Sequence, residues 1–461
     1  MSATPATQPL SFAEKFGYGL GDTASNFFFQ VFNIFLLYYY TDVFGLSPAA
    51  VGTMFLVTKV VDALTDPMMG IIADRTNSRW GKFRPYLLWA AIPYGLLGYA
   101  MFASPDLSDT GKLIYAYATY TLMMLAYTVI NVPYGALMGV ISPSSDERLK
   151  VSSYRFICAF SAAWLIGTFV TPLKSILGGG DEAEGFRLTM MMFSVASIAL
   201  FWVTFASTRE RVKPPPMENS LKADLNAVAA NLPWIAMLVS GVFTLAQVAV
   251  RAGAQIYFLK YYVGDDGTPL FLIFDKTAVF MSLGTFSFIA GVGMTRFLNS
   301  YFDKRTLLIM LNLLGAAIAV PFFFIPPDQY WLLVAFGCLG QFIAGPGPAL
   351  VFAMYADCAD YGEYKTGRRT TGLIYSAGGF AAKFGLALGA GVSGFLLAGV
   401  GFVANSEQTD TAMLGIRLMY TIYPAVLLIL GTVSLFYYRL SDKDVLRIEL
   451  ELGERRRLSG E

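Results

Sequence analysis

The chain has 461 residues, of which 56% are hydrophobic and 14% charged, with a net charge of +1 and no histidine. Soluble domains carry about 25% charged residues, so this composition is that of a polytopic membrane protein. The missing histidine excludes Ser-His-Asp chemistry, His-ligated metals and imidazole proton relays, and the charge balance gives no reason to expect a nucleic-acid partner.

The sequence predicts an all-α membrane protein. Twelve apolar runs are long enough to cross a bilayer, at about 16–41, 49–73, 84–104, 111–140, 153–177 and 187–207, then 233–262, 270–295, 304–325, 330–356, 371–400 and 412–438. The polar opening stretch lacks a basic region leading into a cleavable apolar core, so no signal peptide is expected. Ser207 to Asn231 is the longest polar stretch and reads as a linker. The expected organisation is an N-terminal six-helix bundle (1–206), a central cytoplasmic linker (207–231), a C-terminal six-helix bundle (232–440) and a cytoplasmic tail (441–461). Six plus six spans suggest two repeats related by an axis along the membrane normal.

Loop charge orients the chain. Arg75, Arg79, Lys82 and Arg84 follow span two; Arg148 and Lys150 follow span four. Arg209, Arg211, Lys213 and Lys222 fall in the linker, Arg296, Lys304 and Arg305 after span eight, and Lys365, Arg368 and Arg369 after span ten. The opposite loops FGLSP and PPDQY carry no basic residue. The positive-inside rule then puts both termini in the cytoplasm. The charged, partly amphipathic tail is expected along the membrane surface. Tyr38, Tyr39, Tyr40, Tyr261 and Tyr262 read as an interfacial aromatic belt. Gly345-Pro346-Gly347-Pro348 and Gly385, Gly389 and Gly391 suit close helix approach. Cys158, Cys338 and Cys358 are far apart and read as small core residues.

Polar side chains inside the runs point to function. Asp62 and Asp66 in span two cost roughly 2.5–3.5 kcal/mol each on insertion scales. They are four residues apart, on one helix face and about 6 Å along the axis. With the hydroxyls of Thr58 and Thr65 they offer the hard oxygen ligands that Na⁺ or H⁺ prefers. Pro67 can free a nearby carbonyl. The alternative is a structural Lys59–Asp62 pair, which leaves Asp66 unexplained. Span one carries Asp22, Asn26, Gln30 and Asn33 on one stripe. Span four holds Tyr127, Thr128 and Asn131; span five opens with Tyr154 and Arg155; span seven has Gln247 and Arg251; span eleven has Tyr375, Gly379 and Lys383. Acids from the first half and bases from both imply a midplane cavity for a polar solute, the alternative being mutual neutralisation alone.

The run YYYTDVFGLSPAAVGTMFLVTKVVDALTDPMMGIIADRTNSRWGKFRPY, the Asn-Val-Pro-Tyr of span four, Tyr-Arg-Phe in span five and Asp360-Tyr-Gly-Glu-Tyr-Lys365 resemble the glycoside–pentoside–hexuronide:cation symporters of the major facilitator superfamily. The resemblance covers nearly the whole chain. It implies the major facilitator fold: twelve transmembrane helices in two six-helix pseudo-symmetric halves. It implies that Asp62 and Asp66 bind the coupling cation, as a metal site if the cation is Na⁺, and that Thr65 helps select it. It implies that Asp22 binds sugar hydroxyls, that Tyr127 and Thr128 lie near the sugar, and that Arg155 and Lys383 line the same cavity. The basic loop 74–85, with Arg75 and Arg84, and segment 360–365, with Asp360 and Glu363, correspond to gating segments. A well-known member has an acid where this chain has Asn131, a tryptophan at Gly135 and a lysine at Gly21, which leaves room for an anionic sugar. Asn131 retains the capacity to donate and to accept.

The expected function is uptake of a sugar or glycoside coupled to Na⁺ or H⁺ by alternating access, with Asp22, Asn26, Tyr127, Thr128, Asn131, Arg155, Gly379 and Lys383 at the substrate and no cofactor. The expected setting is a bacterial inner membrane, with the protein working as a monomer in the lipid bilayer. An alternative is a symporter of amphipathic lysolipid-like cargo on the same superfold. A membrane enzyme is not supported: there is no P-loop and no dinucleotide-binding glycine motif followed by a ribose-binding acid.

Overall fold

A computed structural model describes residues 9–142, 144–212, 228–367 and 371–459. Lys213, Lys222, Arg368 and Arg369, read above as loop charges, and most of the linker lie outside the described residues. In chain order the helices are α1 (Phe12–Ile34), α2 (Leu36–Tyr38), α3 (Pro48–Arg75), α4 (Arg84–Trp89), α5 (Ala91–Ala100), α6 (Asp109–Val140), α7 (Ser145–Gly178), α8 (Glu182–Ser207), α9 (Leu232–Tyr257), α10 (Lys276–Asn299), α11 (Lys304–Phe324), α12 (Tyr330–Ala344), α13 (Gly347–Thr366), α14 (Thr371–Gly399), α15 (Asp410–Tyr420), α16 (Ile422–Leu435) and α17 (Asp442–Ser459). π-helical turns at Tyr39–Val43 and Phe258–Tyr262 end the first and seventh apolar runs.

Each apolar run is one helix or a stack of two or three. Among the described residues, nine helical stretches are long and apolar enough to cross a membrane. The three runs outside that set are the first three. Polar residues interrupt α1 and α3, and the third run is divided at Ala90. Large apolar side chains lie on the outside, including Ile114 (65% exposed), Phe324 (70%) and Trp331 (62%), as expected where the solvent is lipid.

Local sequence explains the helix ends. Ser11 opens α1 with a reciprocal cap: its hydroxyl accepts from Glu14 N–H, and the Glu14 carboxylate accepts from Ser11 N–H. Ser47 with Pro48, Ser108, Asp181 and Thr409 cap α3, α6, α8 and α15.

Contacts divide the chain into two units. The first comprises 1–216 with 265–282 and 402–407, and the second 217–264, 283–401 and 408–461. The first unit is built around α1. Four side-chain hydroxyls from three other helices donate to its backbone carbonyls: Thr204 of α8 to Gly17, Tyr134 of α6 to Tyr18, Ser197 of α8 to Ala24 and Tyr94 of α5 to Ser25. Thr23 of α1 in turn donates to the Cys158 carbonyl of α7. Buried hydroxyls need partners, and a neighbouring helix backbone supplies them. The two borrowed segments attach locally. Thr171 of α7 donates to Asp275 (3.0 Å), Trp164 to Ser282 (2.9 Å), and Asn405 to the Asp42 carbonyl (2.6 Å).

In the second unit, glycines set the spacing. A Cβ at Gly385 or Gly389 of α14 would lie 2.5 or 2.3 Å from carbonyl oxygens of α9, and one at Gly291 of α10 would lie 2.0 Å from the Phe342 carbonyl of α12. The Gly-Pro run breaks the helix between α12 and α13.

Two expectations are corrected and one is extended. Tyr38, Tyr39 and Tyr40 are not an interfacial belt: all three are buried, with the Tyr38 hydroxyl donating to Glu182 and the Tyr39 hydroxyl bonded to Ser104 at 2.5 Å. The eighth run becomes helical only at Lys276, because Asp275 caps α10 by accepting from Ala278 N–H. The tail helix α17 docks on the second unit through Val445, Ile448 and Leu452, buried among Trp234, Leu307, Leu350 and Tyr438.

Candidate functional site

Asp62 is 3% exposed, and Lys59, one turn before it, gives it an ammonium proton at 3.2 Å. Asp66 is half-buried and accepts a hydrogen bond from Thr128 of α6 at 2.9 Å. The two carboxylates thus share a helix but have different partners. Thr58 and Thr65 turn their hydroxyl protons onto their own helix, at the Met54 and Val61 carbonyls. That leaves each hydroxyl oxygen able to accept or to ligate. Pro67 has no N–H to give the Ala63 carbonyl one turn earlier, so α3 can spare a backbone oxygen between the two acids.

A second group sits where α1, α6 and α7 meet. Arg155 Nε donates to Asp22 at 3.1 Å; the Asp22 side chain is 11% exposed and that of Arg155 38%. The guanidinium also lies 5.7 Å from the Tyr134 ring centroid. Tyr18 and Tyr134 fix this corner: their rings stack at 4.6 Å and each hydroxyl donates to the other's carbonyl. Gly21 admits nothing larger, since a Cβ there would lie 2.6 Å from the Tyr134 ring. Gly135, by contrast, opens onto space.

Asn131 and Tyr127 face the same region of the first unit. Asn131 accepts from Ser25 at 2.7 Å, and Tyr127 stacks on Phe29. Asn26 gives its amide proton to the Asp22 carbonyl at 2.9 Å. Helix α6 therefore links both groups. Thr128 reaches Asp66 from one turn, and Asn131 reaches Ser25, three residues from Asp22, from the next. Thr128, placed near the sugar by resemblance, donates to Asp66, which the sequence reading assigned to the cation. Gly379 and Lys383 lie on α14 of the second unit, where a Cβ at Gly379 would meet open space.

The residues read as gating by resemblance lie in both units. Arg75 is exposed at the end of α3. Arg84 is committed inside the first unit: it donates to the Phe205 carbonyl at 2.7 Å and lies over the Phe205 ring. The Glu210 carboxylate takes three backbone N–H groups, from Lys82, Phe83 and Arg84, at 2.8–3.1 Å. Gly81, at φ +110°, leaves room for it. Asp360 and Glu363 lie on α13.

Sequence reading passed over Asp357, one turn before Asp360. It pairs with Lys304 at 2.6 Å, and Lys304 reaches Asp442 of the tail helix at 3.5 Å. The acid spacing Asp357, Asp360, Glu363 was the available signal. Glu147 was also missed. It binds Lys15 and Lys150, both at 2.9 Å, and the Leu10 N–H at 3.0 Å. These partners, Lys15 first, hold its carboxyl at about 2.

Buried carboxylates in an all-helical protein with long apolar stretches fit a multi-pass membrane transporter. A family model described as MFS/sugar transport protein matches residues 17–442. The chain belongs to that family, the glycoside–pentoside–hexuronide:cation type within the major facilitator superfamily. It is 34% identical over 457 residues to the inner membrane symporter YicJ of Escherichia coli, covering 98% of this chain and 97% of the relative. It is 32% identical to the isoprimeverose transporter of Lactiplantibacillus pentosus, covering 95% and 92%. The fold is also that of a bacterial homolog of the human lysosomal transporter Spinster in an inward-facing, unoccupied conformation: TM-score 0.68, 13% identity, 95% of this chain and 97% of the other covered.

Proposed function

We propose that this protein is a secondary active symporter that takes up a sugar or glycoside with Na⁺ or H⁺ by alternating access. The observation that carries the reading is the double reach of α6. Its Thr128 holds Asp66, and its Asn131 is bonded into the Asp22–Arg155 corner. A cation arriving at Asp62 and Asp66 neutralises them and competes with the Thr128 hydroxyl for the Asp66 carboxylate. That shifts the helix which also carries Tyr127 and Asn131. Sugar and ion then bind cooperatively, and the coupling is reciprocal. Asp22 accepts from sugar hydroxyls, while Arg155 and Asn131 donate. The names of the two relatives, an inner membrane symporter and an isoprimeverose transporter, support a sugar cargo. Loop charge supports cytoplasmic termini, and the YicJ relative supports a bacterial inner membrane. A single chain suffices for this mechanism.

The test is binding of a panel of sugars and glycosides to purified protein, with and without Na⁺, at two pH values, in the wild type and in Asp66→Asn. The expected outcome is one sugar class bound more tightly with cation in the wild type only. Equal binding under all conditions would make the acids structural, and binding of a lysolipid but no sugar would refute the substrate class.

A further inference from the structure

Ser25 sits on α1, three residues after Asp22, and is 1% exposed. Its Oγ lies 2.7 Å from Asn131 Oδ1 and 3.1 Å from the Gly21 carbonyl of its own helix. The orientation of the Asn131 amide is settled by its other end. Nδ2 lies 3.1 Å from the Tyr127 carbonyl, which only accepts, so that atom is the nitrogen. The atom facing Ser25 is then the amide oxygen, and the serine's single proton goes to the nearer of its two acceptors, Asn131.

This arrangement removes the ambivalence an asparagine has in principle. Its acceptor end is turned into the contact between α1 and α6. One N–H is held by Tyr127, and the second N–H is the group left to meet a solute. Arg155 beside Asp22 is also a pure donor. Among the described residues, the Asp22 carboxylate is the one acceptor that its guanidinium reaches.

We propose that Ser25 is a specificity-determining positioning residue. It holds the Asn131 amide as a hydrogen-bond donor toward the substrate. At that point the site takes an oxygen in its accepting role: a carboxylate, ring or glycosidic oxygen, or a hydroxyl whose own proton goes to Asp22. This rests on Asn131 lining the sugar site, as in the function above.

The experiment uses purified full-length protein and two probe sets, p-nitrophenyl glycosides and the matching p-nitrophenyl hexuronides, with a cation titration alongside. Ser25→Ala is expected to weaken binding of the preferred probe about fivefold or more while the half-saturating cation concentration and the melting temperature stay as in the wild type. The double variant Ser25→Ala/Asn131→Ala should bind no more weakly than Asn131→Ala alone, because the serine acts through the asparagine. Asn131→Asp, which keeps the shape but offers no N–H, should lose at least as much as Asn131→Ala. The inference is overturned if Ser25→Ala binds like the wild type, if the two alanine effects multiply, if cation affinity falls equally, or if Asn131→Asp binds more tightly. A folded wild type that binds none of the probes would instead overturn the sugar-symport reading itself.

Discussion

Asp62 and Asp66 differ in what holds them, and the difference decides which is easier to perturb. Asp62 is paired with a lysine of its own helix; Asp66 depends on a hydroxyl from α6. A hydrogen bond to a charged group contributes about 1.5–3 kcal/mol, and about 1.4 kcal/mol is tenfold in an equilibrium constant. Thr128→Val keeps the shape and removes the hydroxyl. The expected result is a half-saturating cation concentration lowered roughly tenfold or more, because the bond the cation must displace is gone, with sugar affinity at saturating cation little changed, read from cation titrations of sugar uptake. An unchanged cation requirement would remove Thr128 from the ion site. At this scale the sequence was informative wherever partners share a helix. The four-residue spacing of the acids and the three-residue spacing to Lys59 are visible in one dimension. The Thr128–Asp66 and Ser25–Asn131 bonds are not, because they depend on the register between helices, which hydropathy does not encode.

Elements were legible where a long apolar run had caps at its ends, and obscure where a run had to bend or dock. The division at Ala90 lies one turn before Pro93, which has no N–H to give the Trp89 carbonyl, a cause the length of the apolar run hides. The three tyrosines were misread because amphipathic rings suit a bilayer interface, yet Glu182 and Ser104 satisfy two of their hydroxyls and allow the rings to enter the protein core. The docking of the tail was hidden for a related reason: an amphipathic helix has the same pattern whether it meets lipid or a helical bundle, and α17 still exposes Leu446 and Leu450. Its docking can be tested. Ile448 is 3% exposed, and a carboxylate there would be buried without a planned partner. Ile448→Asp is expected to release α17 to limited proteolysis while the rest of the chain stays protease-resistant. Retained protection would mean the contact is dispensable.

Across the molecule, fold class and family could be read from composition, run count and motif, whereas the partition of the chain could not. One whole-protein property follows from Glu147, which ties the segment before α1 to α7. Its carboxyl sits at about 2 when folded against an ordinary 4.5. A depressed carboxylate stabilises the folded state fully above the unfolded value and loses that contribution as pH falls through the folded one. The wild type should therefore lose thermal stability between about pH 4.5 and 2, and Glu147→Gln should show a flatter profile over that window and a lower melting temperature at neutral pH. Parallel profiles would show that the three contacts on Glu147 do not matter to stability. The contact partition carries a different consequence. Segments 265–282 and 402–407 lie beyond the central linker in sequence yet belong with the first six helices. Severing the gene at that linker would make two polypeptides, neither of them a self-contained module. The first would lack the Asp275 and Ser282 contacts that finish its α7, and the second would carry that missing piece. The lending runs one way, so reassembly from fragments would have to begin with the second polypeptide giving these short segments to the first.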